Sequence, residues 1–183
     1  MQFTYRETFT KGGDTPITIP IDIITTAKHA MYRHGGIPPT LYVCGTRKHV
    51  SFPMPQSQNP IGRAEQMIHA AIQLAQSGTI GDIDLVVLVS AAWVSPAREP
   101  FIIPSQDKNR CEVLLISALD GQTKEQKLLL YACIREQDGV VIDLKPLPVP
   151  ADVKVEGPLL RAFLTGYRLL QSSLANQSLE RPA

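Results

Sequence analysis

The sequence lacks the features that most directly assign a class of function. Its charge is nearly balanced, with 18 Lys and Arg against 17 Asp and Glu, so no strong field favours nucleic acid or an anionic membrane. No apolar run reaches the length of a membrane span or of a signal-peptide core, so we expect neither a membrane protein nor a secreted one. Glycine-rich phosphate-binding patterns and the G-x-S-x-G nucleophile pattern are also missing. These absences favour a globular protein that binds rather than catalyses.

Cysteine and histidine are scarce as well. The three cysteines, Cys44, Cys111 and Cys133, lie in apolar strand-like runs, and an odd number of them argues against a disulfide framework. We therefore expect reduced thiols and a cytoplasmic protein. The four histidines do not recur at the spacing of metal ligands, so the sequence predicts no metal site, no cofactor and no catalytic residue.

Hydrophobic periodicity predicts one domain over residues 1–175 and a flexible tail over 176–183. Helices are expected after the cap Asp22, after Asn59-Pro60 and after Gly157-Pro158. Between them lie strand-like runs joined by short turns, including Asp120-Gly121 and Asp138-Gly139. The predicted fold is α+β: an antiparallel sheet of about five or six strands with helices packed on it, in the order α-β-β-α-β-β-β-β-α. This order resembles that of profilin-like and roadblock-like domains.

One connection, residues 91–110, is much longer than a hairpin needs. Arg110 and Glu112 are two residues apart, so on a strand their side chains share a face that Leu114 continues into the core. A charge there must be paired or hydrogen-bonded. Asp107 is placed to accept hydrogen bonds from the backbone of the turn ahead of the strand. The candidate ligand- or partner-binding residues are Trp93, Arg98, Asp107, Arg110 and Glu112.

The same connection carries a resemblance. The segment V-S-A-A-W followed by P-S-x-D-x-x-R-x-E resembles a signature of small bacterial and phage proteins in which the tryptophan segment reads S-E-A-W. Ala91 stands where those proteins carry the acid, so a catalytic role of that acid would be lost here. The resemblance implies a grouping and no mechanism. The matching residues are Ser90, Ala92, Trp93, Pro104, Ser105, Asp107, Arg110 and Glu112.

Several uses of these residues remain open. Trp93 and the charges either anchor the loop to the sheet or form a working surface. In the second case we expect a non-enzymatic binding protein that acts through a protein partner or through self-association as a homodimer, to which the apolar stripe of the last helix would contribute. An alternative is a ligand-binding domain or enzyme whose anionic substrate is held by Arg110. A further alternative is weak nucleic-acid binding by the 45–49 hairpin, with Arg33-His34 joining Arg47-Lys48-His49 in a basic patch.

Overall fold

The computed structural model describes residues 17–54, 60–95, 106–149 and 157–179. Within these ranges the chain forms three helices and six strands, in the predicted order. No helix in the described ranges is long and apolar enough to cross a membrane. The elements are α1 (Ile21–His34), β1 (Thr40–Gly45), β2 (His49–Pro53), α2 (Pro60–Ser77), β3 (Ile83–Val94), β4 (Cys111–Asp120), β5 (Gln126–Arg135), β6 (Val141–Leu147) and α3 (Pro158–Leu179).

All six strands belong to one antiparallel sheet with the order β2-β1-β3-β4-β5-β6. The predicted α+β class and the predicted meander are therefore confirmed. The turns between β4 and β5 and between β5 and β6 fall where Asp120-Gly121 and Asp138-Gly139 indicated. At the second turn Gly139 has φ +87°, a left-handed conformation that glycine adopts without steric cost.

The helices begin close to the predicted positions, with one correction. Asp22 does not cap α1, because the N-cap is Pro20 and no side chain caps that end; Asp22 lies in the first turn instead. Gly35 ends α1 in the left-handed conformation. Asn59, the predicted cap of α2, lies outside the described residues. So do residues 180–183 of the predicted tail, while α3 continues to Leu179.

The sheet separates two apolar cores. On one face α1 packs Ile24, Ala27 and Met31 against alternate residues of β3, β4 and β5. On the other face α2 and α3 cover β1 and the start of β3, and α3 contributes Phe163 and Tyr167. Most of the predicted apolar stripe of α3 thus lies against the sheet.

Candidate functional site

Trp93 lies on a strand and not in a loop. β3 continues to Val94, so the predicted start of the connection at residue 91 is wrong by four residues. The strand pairs with β1 only over residues 83–89, and its last five residues pair with β4 alone among the described strands. The last five residues of β3 and the residues of β4 opposite them form one segment, which carries Trp93 opposite Glu112 and in which β4 also pairs with β5 from Val113 onward. We call it the β3–β4 ribbon, comprising residues 90–94 and 111–115.

The indole of Trp93 is exposed and stacks with an arginine. Its relative exposure is 44 %, although it is the largest apolar side chain of the ribbon. The guanidinium carbon of Arg110 lies 4.7 Å from the centre of the ring, within the range of a cation–π contact. Arg110 is itself exposed, just before the first residue of β4. The structure thus brings Trp93 and Arg110 together, with Glu112 opposite Trp93 on the neighbouring strand.

Glu112 has a different partner, which sequence reasoning missed. Arg135 donates from Nε to Oε2 and from Nη2 to Oε1 of Glu112, each at 2.6 Å. Arg135 also donates to the carbonyl O of Gly35 at the end of α1, at 2.6 Å, and to that of Gly139 in the β5–β6 turn, at 2.5 Å. Arg135 therefore joins four elements. The signal for Arg135 in the sequence was the alternation of side chains along a strand, which places Tyr131, Cys133 and Arg135 on one face of β5.

Asp107 closes the connection between β3 and β4. Its carboxylate accepts hydrogen bonds from the hydroxyl of Ser95 and from the backbone N–H of Asn109, the latter at 2.8 Å. The bond to Asn109 is of the kind that the sequence predicts. Together the bonds lower the pKa of Asp107 from its ordinary value, chiefly through Ser95. Because Asp107 is buried and engaged with the chain itself, it holds the two ends of the connection together.

Arg98, the remaining predicted site residue, lies outside the described residues. The cysteines are free, and two of them are poorly ionised. Burial raises the pKa of Cys44 to about 11, helped by the charges of Asp22 and Asp84. Burial also raises the pKa of Cys133 to about 11, with the charge of Glu112 adding to the effect. Thiols of this kind are weak nucleophiles at neutral pH.

Arg110 lines neither of the following two cavities, whose walls are described residues. One, of about 480 Å³, lies between the end of β2 and α2, with Phe52, Met54 and Leu74 among its walls. The other, of about 300 Å³, lies beside Tyr167 and Arg168 of α3. In the described part of the chain, no group of three or more His, Cys, Asp or Glu is arranged to hold a metal ion.

The predicted basic patch does not form around the first hairpin. His49 lies opposite Cys44, which in turn lies opposite Leu85 of β3. The end of α1, by contrast, lies near Trp93, because Arg135 binds both Gly35 and Glu112, the residue opposite Trp93. Trp93 is eight residues farther along β3 than Leu85. That separation corresponds to roughly 27 Å along a strand. Arg33-His34 and Arg47-Lys48-His49 therefore lie at opposite ends of the sheet.

Comparison with family models, with curated proteins and with solved structures finds no match.

Proposed function

We propose that this protein is a non-enzymatic interaction protein and that it binds a protein partner through the exposed side chains of Ala91, Trp93 and Arg110. We call these residues the Trp93–Arg110 surface. The observation that carries the proposal is the 44 % exposure of Trp93 while it is stacked with Arg110 on a regular strand. Tryptophan and arginine are the residue types most enriched among the energetically dominant residues of interfaces.

The backbone beneath this surface is ordered in a way that favours binding. Trp93 is held by the β3–β4 ladder, and Glu112 opposite it is fixed by Arg135. An anchor that is already fixed loses little conformational entropy when a partner covers it. Covering the remaining exposed part of the indole, about 100 Å², would contribute about 2.5 kcal/mol.

Self-association is a second candidate, favoured by a different surface. Leu169 of α3 is 69 % exposed, and Ile68 of α2 is 39 % exposed. Gly166, one turn before Leu169, packs against Ile68 and Ala71 where the two helices meet. Two exposed aliphatic side chains beside one helix–helix seam form an apolar contact that a second copy can cover. Sedimentation equilibrium of the wild type and of Leu169→Ser tests this candidate: a dimer that weakens in the variant supports it, and a monomeric wild type contradicts it.

The proposal is tested by comparing the proteins captured from native lysate by immobilised wild type and by Trp93→Ala. We expect immobilised Trp93→Ala to capture at least about tenfold less partner than the wild type does, which is the effect typical of a dominant interface residue. Ile142→Ala is the matched control, because Ile142 is 50 % exposed on β6, away from the ribbon. Circular dichroism and thermal unfolding establish that both variants are folded.

Capture of the same proteins by wild type and Trp93→Ala, in equal amounts, would contradict the proposal. Equal loss in the Ile142→Ala control would also contradict it, since general surface hydrophobicity would then explain the capture.

A further inference from the structure

In the β3–β4 ribbon, some backbone groups of β3 have no partner strand among the described residues. In an antiparallel ladder, successive residues direct their N–H and C=O groups alternately to the two sides. The N–H of Gly121 donates to the carbonyl O of Asp84 at 2.7 Å, so even-numbered residues of β3 face β4. Ala91 and Trp93 therefore direct their backbone groups away from β4, toward the side where β1 has already ended opposite Val89. Among the described residues, no strand pairs with them on that side.

This edge differs from the two outer edges of the sheet. Exposed edges usually carry prolines or charges that oppose the addition of another strand. β6 carries Asp143, Lys145 and Pro146, and β2 ends at Pro53. Ala91 and Trp93 carry neither a charge nor a proline, and both are exposed. The edge formed by Ala91 and Trp93 therefore lacks the charges and the proline by which β6 opposes an added strand.

The charges beside this edge are positive. Arg110 lies on the ring of Trp93, and Lys108 is exposed in the turn before it. In the described part of the connection and of β4 beside it, Glu112 is engaged by Arg135, and Asp107 by Ser95 and Asn109. The exposed acids of the β5–β6 turn belong to strands at least two places away in the sheet, about 10 Å from β3. Among the described residues, the exposed charged groups that a segment added here would meet first are those of Arg110 and Lys108.

We propose that the edge formed by Ala91 and Trp93 receives an extended acidic segment of a partner protein as an additional antiparallel β-strand. This inference rests on the proposed function and assigns its binding mode and its partner chemistry. Residues opposite Ala91 and Trp93 each exchange two backbone hydrogen bonds with β3. Their side chains lie on the face of Trp93, so an acidic residue there is within reach of Arg110. The intervening residues face the side of Ala92 and Val94, where small apolar side chains fit.

A second copy of this chain is the less suitable occupant of the edge. Pairing two copies along Ala91 and Trp93 would bring two Arg110 side chains, and the two nearby Lys108 side chains, to one patch. Like charges placed across a strand pair are destabilising. The segment that complements this edge carries acidic residues at alternate positions.

The test uses blocked seven-residue peptides and the fluorescence of Trp93, the only tryptophan in the chain. The probe alternates Glu and Val, a second peptide alternates Lys and Val, and a third has the Glu–Val composition in blocks. We expect saturable binding of the alternating Glu–Val peptide, at least about tenfold weaker binding of the other two, and a Kd that rises with salt. Hydrogen exchange at the amides of Ala91 and Trp93 should slow in the complex.

Two variants at one position separate strand addition from side-chain contact. Ala91→Pro removes an N–H that faces away from β4, and proline is tolerated at a strand edge. Ala91→Val keeps that N–H. We expect Ala91→Pro to bind about tenfold more weakly than Ala91→Val, which alters the same side chain but keeps the N–H, and Arg110→Gln to weaken binding and reduce its salt dependence.

Each outcome decides the proposal. Equal affinity of Ala91→Pro and Ala91→Val, or equal binding of the Glu–Val and Lys–Val peptides, overturns it. Failure of the wild type to bind the Glu–Val peptide also overturns it. If Trp93→Ala still loses its captured partner while Ala91→Pro retains it, the proposed interaction surface stands and only the strand-addition mode fails. If Trp93→Ala loses nothing, the proposed function itself fails.

Discussion

Arg135 and Glu112 form a two-point ion pair across neighbouring strands, with Nε–Oε2 and Nη2–Oε1 distances of 2.6 Å. Their side chains are 26 % and 19 % exposed, so the pair is largely withdrawn from water without being fully buried. The same guanidinium binds the carbonyl O of Gly35 and of Gly139. The pair thus fixes the residue opposite Trp93 and ties the end of α1 to the sheet.

Loss of this arginine should be costly. We expect Arg135→Met to lower the free energy of unfolding by about 2–3 kcal/mol, because it leaves Glu112 and two carbonyl groups without their donor. A double-mutant cycle with Glu112→Gln should give a coupling energy of about 1–2 kcal/mol, measured by urea unfolding. Glu136→Gln, at an exposed neighbouring acid, is the control and should change stability by less than about 0.5 kcal/mol. A coupling energy near zero would show that the ion pair is not a stabilising contact.

Asp107 should make the free energy of unfolding depend on pH in the acidic range. Its pKa is lower in the folded chain than its ordinary value of 3.8, so the folded state is favoured when the carboxyl is ionised. This contribution is present above the ordinary pKa and is lost as pH falls through the lower folded value. We therefore expect the stability difference between wild type and Asp107→Asn to be largest near neutral pH and to shrink below about pH 4.

Titration of the Asp107 carboxyl by NMR checks the cause directly. In Ser95→Ala the pKa of Asp107 should rise toward its ordinary value, since the hydroxyl of Ser95 is the largest contributor to the shift. An unchanged pKa in Ser95→Ala would contradict the assignment of this hydrogen bond.

The fluorescence of Trp93 should report a positive environment. Because Arg110 stacks with its ring and Lys108 is exposed nearby, the anion iodide should quench the emission more strongly than the cation caesium. Arg110→Gln should reduce the ratio of the two quenching constants, while acrylamide, which is neutral, should quench both proteins to a similar extent. A ratio that does not respond to Arg110→Gln would show that the arginine does not set the potential at the ring.

Cys44 and Cys133 should react slowly with thiol reagents. Each has a pKa of about 11 in the folded chain, two units above the ordinary value of 9.0. In single-cysteine variants at pH 8, the thiolate fraction should be about a hundredfold lower in the folded than in the urea-unfolded chain. Intact-mass measurements of alkylation with iodoacetamide should show slowing of at least this order. Comparable rates before and after unfolding would contradict the burial of the two thiols.

The sequence by itself determined the fold class and the order of the elements. Alternating apolar residues specify strands, the 3.6-residue spacing specifies helices, and turn pairs such as Asp138-Gly139 specify hairpins, all through interactions between neighbours in the chain. For the same reason it located the segment that holds Trp93, Asp107, Arg110 and Glu112. It also indicated that a charge at the position of Glu112 needs a partner.

The tertiary structure decided which residues meet. Arg135 lies 23 residues from Glu112 in the sequence, and only strand register brings them together. The end of β3 at Val94 also depended on pairing with β4, because the two alanines before Trp93 have little local preference for a strand. Among the described strands, none pairs with Ala91 and Trp93 on the β1 side, because β1 starts at Thr40, opposite Val89, while β4 pairs with β3 as far as Val94. Local sequence indicates where β1 starts, since Pro38-Pro39 precede Thr40, but which residues of β3 extend past that point is decided only when the strands are assembled in one sheet.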